Sequence, residues 1–372
     1  MTLLEGEEER WFEDRQDWWA RHALRAGADG GLVPFVFFRR QGEYLECSWD
    51  NHRFPPARKG VQFVDREGVE FVDVEVAAAV VSDFLREVTA RITARVGQFS
   101  MQSESSDEQD PWRWLLPPHV LREIASQPRL RARIARKTRD GRHAFLATHS
   151  AETQLLAALP PSISPATILK VLGEDVAPDR GGRLLALRRP SKPSVTGPWE
   201  AGYDAALATR RALGLLDAPV GNIKKLLAES IDVEATAVSI GSAIDGGRAW
   251  LGKGSPRVFR NSRSSLGRTE SFAFARELGH LVMDPAPEGE VAGLSTAWES
   301  WPISARAKAF AVMFLMPEGA LKARRSLTKV DGASLTVLAE EFGLTPVTAA
   351  WHLRNLQIIS EDQRLALLGR VT

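Results

Sequence analysis

At 372 residues the chain is long enough for two or three domains of ordinary size, and each can bury a core that needs no disulfide or metal staple. Its 48 Lys and Arg face 47 Asp and Glu, a formal net charge of +1, which excludes a general electrostatic case for nucleic-acid or membrane binding. One cysteine, Cys47, excludes an intramolecular disulfide and a cysteine-rich zinc module and fits a reducing cytoplasm.

Met1 to Glu9 is acidic and lacks the basic start and apolar run of an export signal. No run of about 18 apolar residues occurs, so a cytoplasmic protein without a membrane segment is expected. A charged, Trp-rich helix is expected over residues 7–26, ending at the Gly27-Ala28-Asp29-Gly30-Gly31 turn. Strand-like runs follow as two hairpins. Residues 33–38 and 44–49 flank Gln41-Gly42-Glu43, and residues 61–64 and 69–74 flank Asp65-Arg66-Glu67-Gly68. Residues 76–96 then form an amphipathic helix with Val80, Phe84, Val88 and Ile92 on one stripe. The acidic, polar stretch 102–110 is a connector.

Residues 111–176 have a helical pattern and include a basic cluster with Arg133, Arg136 and Lys137. Such a cluster can meet phosphate, although charge runs are more often solvated helix faces. Pro, Gly, Ser and Arg dominate residues 177–198, the expected linker. Beyond it come helices over 200–213 and 220–228 and a strand-like run over 257–261. The fold class is therefore α+β. Residues 1–100 form an N-terminal domain with a small antiparallel sheet and helices, and residues 199–372 form a mainly helical domain.

The segment Ala275-Arg276-Glu277-Leu278-Gly279-His280 carries the chemistry of interest. A helix places residues four apart on one face, so His-Glu-x-x-His grips a zinc ion with two imidazoles while its glutamate polarises the bound water. Here Arg276 occupies the first histidine position, and a guanidinium has no lone pair to offer a metal. The Glu-Leu-Gly-His core at 277–280, followed by Phe310-Ala311-Val312-Met313-Phe314-Leu315-Met316-Pro317, resembles the ImmA/IrrE family of metallopeptidase-like domains over residues 200–368. The resemblance implies a zincin-like domain whose zinc is held by two histidines of one helix and an acidic residue of the next. Counting back from Pro317 puts that third position on Arg306.

Two of three implied ligand positions are thus arginines, and His280 alone falls well short of a hydrolytic zinc site. No metal or other cofactor is expected. Oxygens stand nearby on Asp284, Glu288, Glu290 and Glu299, but none has the helical spacing to replace Arg276 directly. A partly buried Glu277 without a metal needs a cation, so Arg276 or Arg306 is expected to fork onto it. In the alternative, Arg276 and Glu277 face solvent and His280 is a hydrogen-bonded structural histidine.

Residues 334–356 have the form of a helix-turn-helix, with Gly343 at the turn and Thr345 capping a second helix that begins at Pro346. Thr345, Thr348, His352 and Arg354 would be its base-reading residues, but they make a weak basic face, and packing is the preferred reading.

The leading expectation is a non-catalytic, pseudo-peptidase relative of ImmA/IrrE that regulates another protein by binding it. The resemblance suggests a repressor, a toxin or a phage-defence or mobile-element component as that partner. One alternative is an active zinc peptidase with rearranged ligands and Glu277 as base, and the other is a helix-turn-helix DNA-binding regulator.

Overall fold

A computed structural model describes residues 36–41, 44–50, 67–80, 82–83, 86, 122–123, 159, 163–172, 182–190, 197–241, 244–250, 255–264, 269–284, 291–296, 299, 301–324 and 330–368. The helix expected over 7–26, the strand over 61–64, the connector over 102–110 and the basic residues Arg133, Arg136 and Lys137 lie outside the described residues. The chain divides into two compact units. One takes its described residues from 13–168, and the other from 169–284 and 289–372.

In the first unit, β1 (Val36–Gln41), β2 (Tyr44–Asp50) and β3 (Glu67–Asp73) form an antiparallel meander in the order β1-β2-β3. Pairing of Phe37 with Ser48 and of Glu46 with Phe71 sets Phe37, Glu46 and Phe71 on one face, since side chains alternate along a strand. All three are buried. Asp73 ends β3 and accepts from the backbone N–H of Glu75 and Val76, so the same residue caps the helical turn that follows. Helix α1 (Pro165–Leu172) carries the chain across the division at residues 168 and 169.

The second unit holds α2 (Gly182–Leu187), α3 (Pro198–Ala212), α4 (Ile223–Leu226) with a π-turn over Leu227–Ile231, α5 (Glu270–Met283), α6 (Trp301–Leu315), α7 (Glu318–Lys322), α8 (Gly332–Glu341), α9 (Pro346–Asn355) and α10 (Glu361–Leu368). It also holds a four-stranded mixed sheet made of β4 (Glu234–Val238), β5 (Ile244–Trp250), β6 (Arg257–Asn261) and β7 (Val291–Thr296), in the order β4-β6-β5-β7. Only β6 was expected from the sequence. Gly246-Gly247 weakens the apparent strand character of β5, and β4 is mostly exposed, so neither gives a clean alternation.

The stretch expected to be a linker is packed at its centre. Leu184 and Leu187 of α2 are buried, and Arg188 donates to the carbonyls of Leu281 and Asp284 at the end of α5. Pro and Gly there punctuate a docked helix. Helices α3 and α6 pack closely because Gly202 lies on the backbone of α6, where a Cβ would come within 2.3 Å of the Arg306 carbonyl oxygen. Phe310 and Phe314 of α6 are fully buried and stack at 5.5 Å, each contributing about 1.5–3 kcal/mol through apolar burial.

Candidate functional site

Helix α5 begins at Thr269, whose hydroxyl accepts from the N–H of Phe272, and Glu270 in the first turn complements the helix dipole. The helix packs between the sheet and helices α3 and α6, which is why residues 274–283 are buried all round, Arg276, Glu277 and His280 among them. A charged residue in such a place must find partners.

Arg276, 2% exposed, donates from Nη1 to Asp245 Oδ2 at 3.2 Å and from Nε to Glu277 Oε1 at 3.3 Å. Asp245 sits at a register shift in β5, where a bulge re-aims a side chain, and its Oδ1 accepts from Ser264. Arg306, also 2% exposed, donates from Nη2 to Asp284 Oδ1 at 2.7 Å. Asp284 Oδ2 accepts from Arg248 Nη2 at 2.8 Å and lies 3.0 Å from His280 Nδ1. Arg248 Nη1 stands 3.7 Å from Glu277 Oε2 and 3.5 Å from Glu299 Oε1, and the latter oxygen is 3.4 Å from His280 Nε2. Three guanidinium groups and one imidazole therefore interleave with four carboxylates.

Burial alone would raise the pKa of Asp284, but His280, Arg248 and Arg306 outweigh it and hold the carboxyl far below the usual range. Burial likewise acts against charge on Arg248 and Arg276, and the surrounding carboxylates more than offset it. Asp284, Arg248 and Arg276 thus keep their charges through one another and their neighbours.

Several expectations need correction. Among the described residues, no guanidinium takes both oxygens of Glu277. Arg276 takes one of its oxygens by a single Nε bond, while Nη2, the other donor on that edge, has no hydrogen-bond partner, and Arg306 goes to Asp284. The solvent-facing alternative fails as well, since Arg276 and Glu277 are both buried. Asp284 lacks the spacing to replace Arg276, yet it lies four residues past His280 on the same helical face and becomes the centre of the network. Arg248 and Asp245 escaped the sequence reading altogether. A charge within a strand is ordinarily solvent-facing, and nothing local shows that β5 runs under α5.

The helix-turn-helix-like pair forms as expected. Gly343 has a φ of +65°, Thr345 accepts from the N–H of Thr348, and α9 starts at Pro346. The base-reading role of His352 is contradicted. It is 1% exposed, with Nε2 2.9 Å from the Met316 carbonyl oxygen and Nδ1 2.8 Å from the Tyr203 hydroxyl. Burial pushes its pKa down to about 4, so it is neutral, donating from Nε2 to the carbonyl and accepting from Tyr203. Thr345 and Thr348 bond each other, and Arg354 pairs with Glu361 at 3.2 Å.

Residues 228–354 match the peptidase M78 family, described as an IrrE N-terminal-like domain. This stretch is an IrrE N-terminal-like domain. It contains Glu277, His280, Arg276, Arg306 and Arg248 alike, so the whole charge network lies within it. No curated protein matches the chain. Among the described residues, no helix is long and apolar enough to cross a membrane.

The zinc implied by the resemblance does not fit the residues present in the IrrE-like domain. A zinc centre needs three converging electron-pair donors and an open position. Two of the positions expected to supply donors hold buried guanidinium groups, and the one imidazole has Nδ1 against Asp284 Oδ2 while Nε2 stands 3.4 Å from Glu299 Oε1 without a hydrogen bond. Among the described residues, no group of three His, Cys, Asp or Glu converges as a metal-binding set.

Proposed function

We propose that the chain is a non-catalytic ImmA/IrrE-like regulatory protein that acts by binding another protein. The observation that carries this reading is the burial of Arg276 and Arg306, each 2% exposed and each bonded to a carboxylate, at two positions where a hydrolytic relative would hold zinc. Glu277 cannot polarise a metal-bound water there, since one of its oxygens accepts from Arg276 and the other faces Arg248. The domain frame is retained around this neutralised centre, and a frame without hydrolysis is suited to holding a partner. The partner we favour is a repressor, toxin or defence component of a phage-defence, toxin–antitoxin or mobile-element locus in the cytoplasm. The buried His352 and the paired Arg354 favour packing over base recognition for α8 and α9, so DNA binding is not part of the proposal.

The test is Glu277→Gln in the native host, a substitution that keeps an acceptor for Arg276. The regulated output and recovery of an uncleaved partner should both persist. Loss of output together with accumulation of intact partner, where the unaltered chain yields cleaved partner, would establish a peptidase.

A further inference from the structure

We propose that Arg248 is the resident cation of this site. Its guanidinium, delivered on strand β5, holds the carboxylates of helix α5 and of the segment before α6 together in the role a bound metal ion would serve. This rests on the reading of the domain as metal-free and identifies which group took the ion's place.

The oxygens divide between inner and outer partners. Glu277 gives Oε1 to Arg276 and turns Oε2 toward Arg248, 3.7 Å from Nη1. Asp284 gives Oδ1 to Arg306 and Oδ2 to Arg248. Arg276 and Arg306 bond the other oxygens of Glu277 and Asp284, and Arg248 faces Glu277, Asp284 and Glu299 together. The imidazole closes the ring. Its Nδ1 lies 3.0 Å from Asp284 Oδ2, and its Nε2 stands 3.4 Å from Glu299 Oε1 without a hydrogen bond, the same two oxygens that face Arg248. A nitrogen expected to ligate a metal is therefore turned to an acid that already faces a cation.

The sheet is shaped for this guanidinium. Arg248 pairs across β5 and β7 with Gly293, where a Cβ would fall 2.7 Å from the Arg248 Cζ and 2.8 Å from Nη2. Any larger residue at 293 would displace the charged group. Gly246 serves Glu277 in the same way, since a Cβ there would lie 3.2 Å from Oε1 and 2.6 Å from the Phe259 carbonyl oxygen. Two glycines in adjacent strands thus open the space that the arginine and its carboxylate fill.

Removing the side chain leaves three carboxylates and an imidazole around an anionic hole, so Arg248→Ala should create a site for a small free cation. The experiment follows thermal unfolding of the full chain, unaltered and as Arg248→Ala, in sodium chloride, in millimolar guanidinium chloride at matched ionic strength, and with manganese or zinc chloride. Arg248→Ala should unfold roughly 6–20 °C lower, the size expected for breaking a buried ion pair in a unit of this size. Guanidinium or the divalent ion should restore part of that loss saturably, and the unaltered chain should not respond. Gly293→Ala keeps the arginine but crowds the end of its flexible side chain and should show a smaller loss than Arg248→Ala. If Arg248→Ala does not fold, Arg248→Lys should fold with a smaller deficit than Arg248→Met, and Arg248→Met matching the unaltered chain would overturn the assignment. An Arg248→Ala protein that ignores both cations, from a chain that purifies without metal, would overturn the role of Arg248 alone. Stoichiometric metal in the unaltered chain would instead overturn the metal-free reading beneath it.

Discussion

Asp284→Asn is the sharpest perturbation of the network, because one side chain serves three partners. Its oxygens lie 2.7 Å from Arg306, 2.8 Å from Arg248 and 3.0 Å from His280. Asparagine keeps the volume but removes the negative charge and replaces one acceptor with a donor that faces a guanidinium. Charge-assisted hydrogen bonds of this kind are worth about 1.5–3 kcal/mol each, yet they are not additive within one network. The appropriate scale is that of breaking a buried ion pair, about 3–5 kcal/mol, because two guanidinium groups lose their counter-charge while still buried. Urea unfolding of the full chain, followed by circular dichroism at neutral pH, reads this directly. A companion cycle with Arg306→Met should show coupling, the double variant losing less than the two single losses together. A loss below about 1 kcal/mol, the range of an exposed pair, would refute the buried network.

His352 supplies a pH dependence away from that network. Its folded pKa is about 4 against roughly 6.5 in the unfolded chain, so the unfolded state binds a proton that the folded state refuses. Its share of stability is complete above about pH 6.5 and is lost as pH falls toward 4, by at most about 3 kcal/mol. His352→Gln should flatten the urea midpoint across that window, and an unchanged slope would contradict the neutral, buried assignment. Thr345→Ala should cost about 1 kcal/mol through loss of the α9 cap, without changing retention on DNA columns at any salt. Arg276→His with Arg306→Glu leaves Arg248 between Glu277 and Glu299, so zinc titration should show little uptake until Arg248→Ala is added. Tight zinc binding by the double variant would show that Arg248 does not hold the position.

The parts of this fold legible in the sequence were those with local causes. Helix α9 could be placed at Pro346 because Thr345 and Pro346 cap and start a helix by their own chemistry, and the β1–β2 hairpin because turn residues separate two apolar runs. Arg276 and Arg306 were legible as misfits at spaced positions of two helices. Their true partners were not, because Asp245 and Asp284 reach them through the crossing of α5 over β5 and the approach of α6, which sequence spacing does not encode. Arg248 was hidden for the same reason. Its role depends on Gly293, which is adjacent only across a strand pairing. His352 misled in the other direction. A polar residue in the first turns of a second helix suggests base contact until the Met316 carbonyl and the Tyr203 hydroxyl are found on either side of it.

The central claim is that permanently charged guanidinium groups occupy this centre in place of a metal. Elemental analysis of the full chain, purified from zinc-supplemented cells without chelators, addresses it most directly. Zinc and other transition metals should be present at only a small fraction of one equivalent per chain. Near-stoichiometric zinc that is retained through desalting and lost on His280→Ala would contradict it.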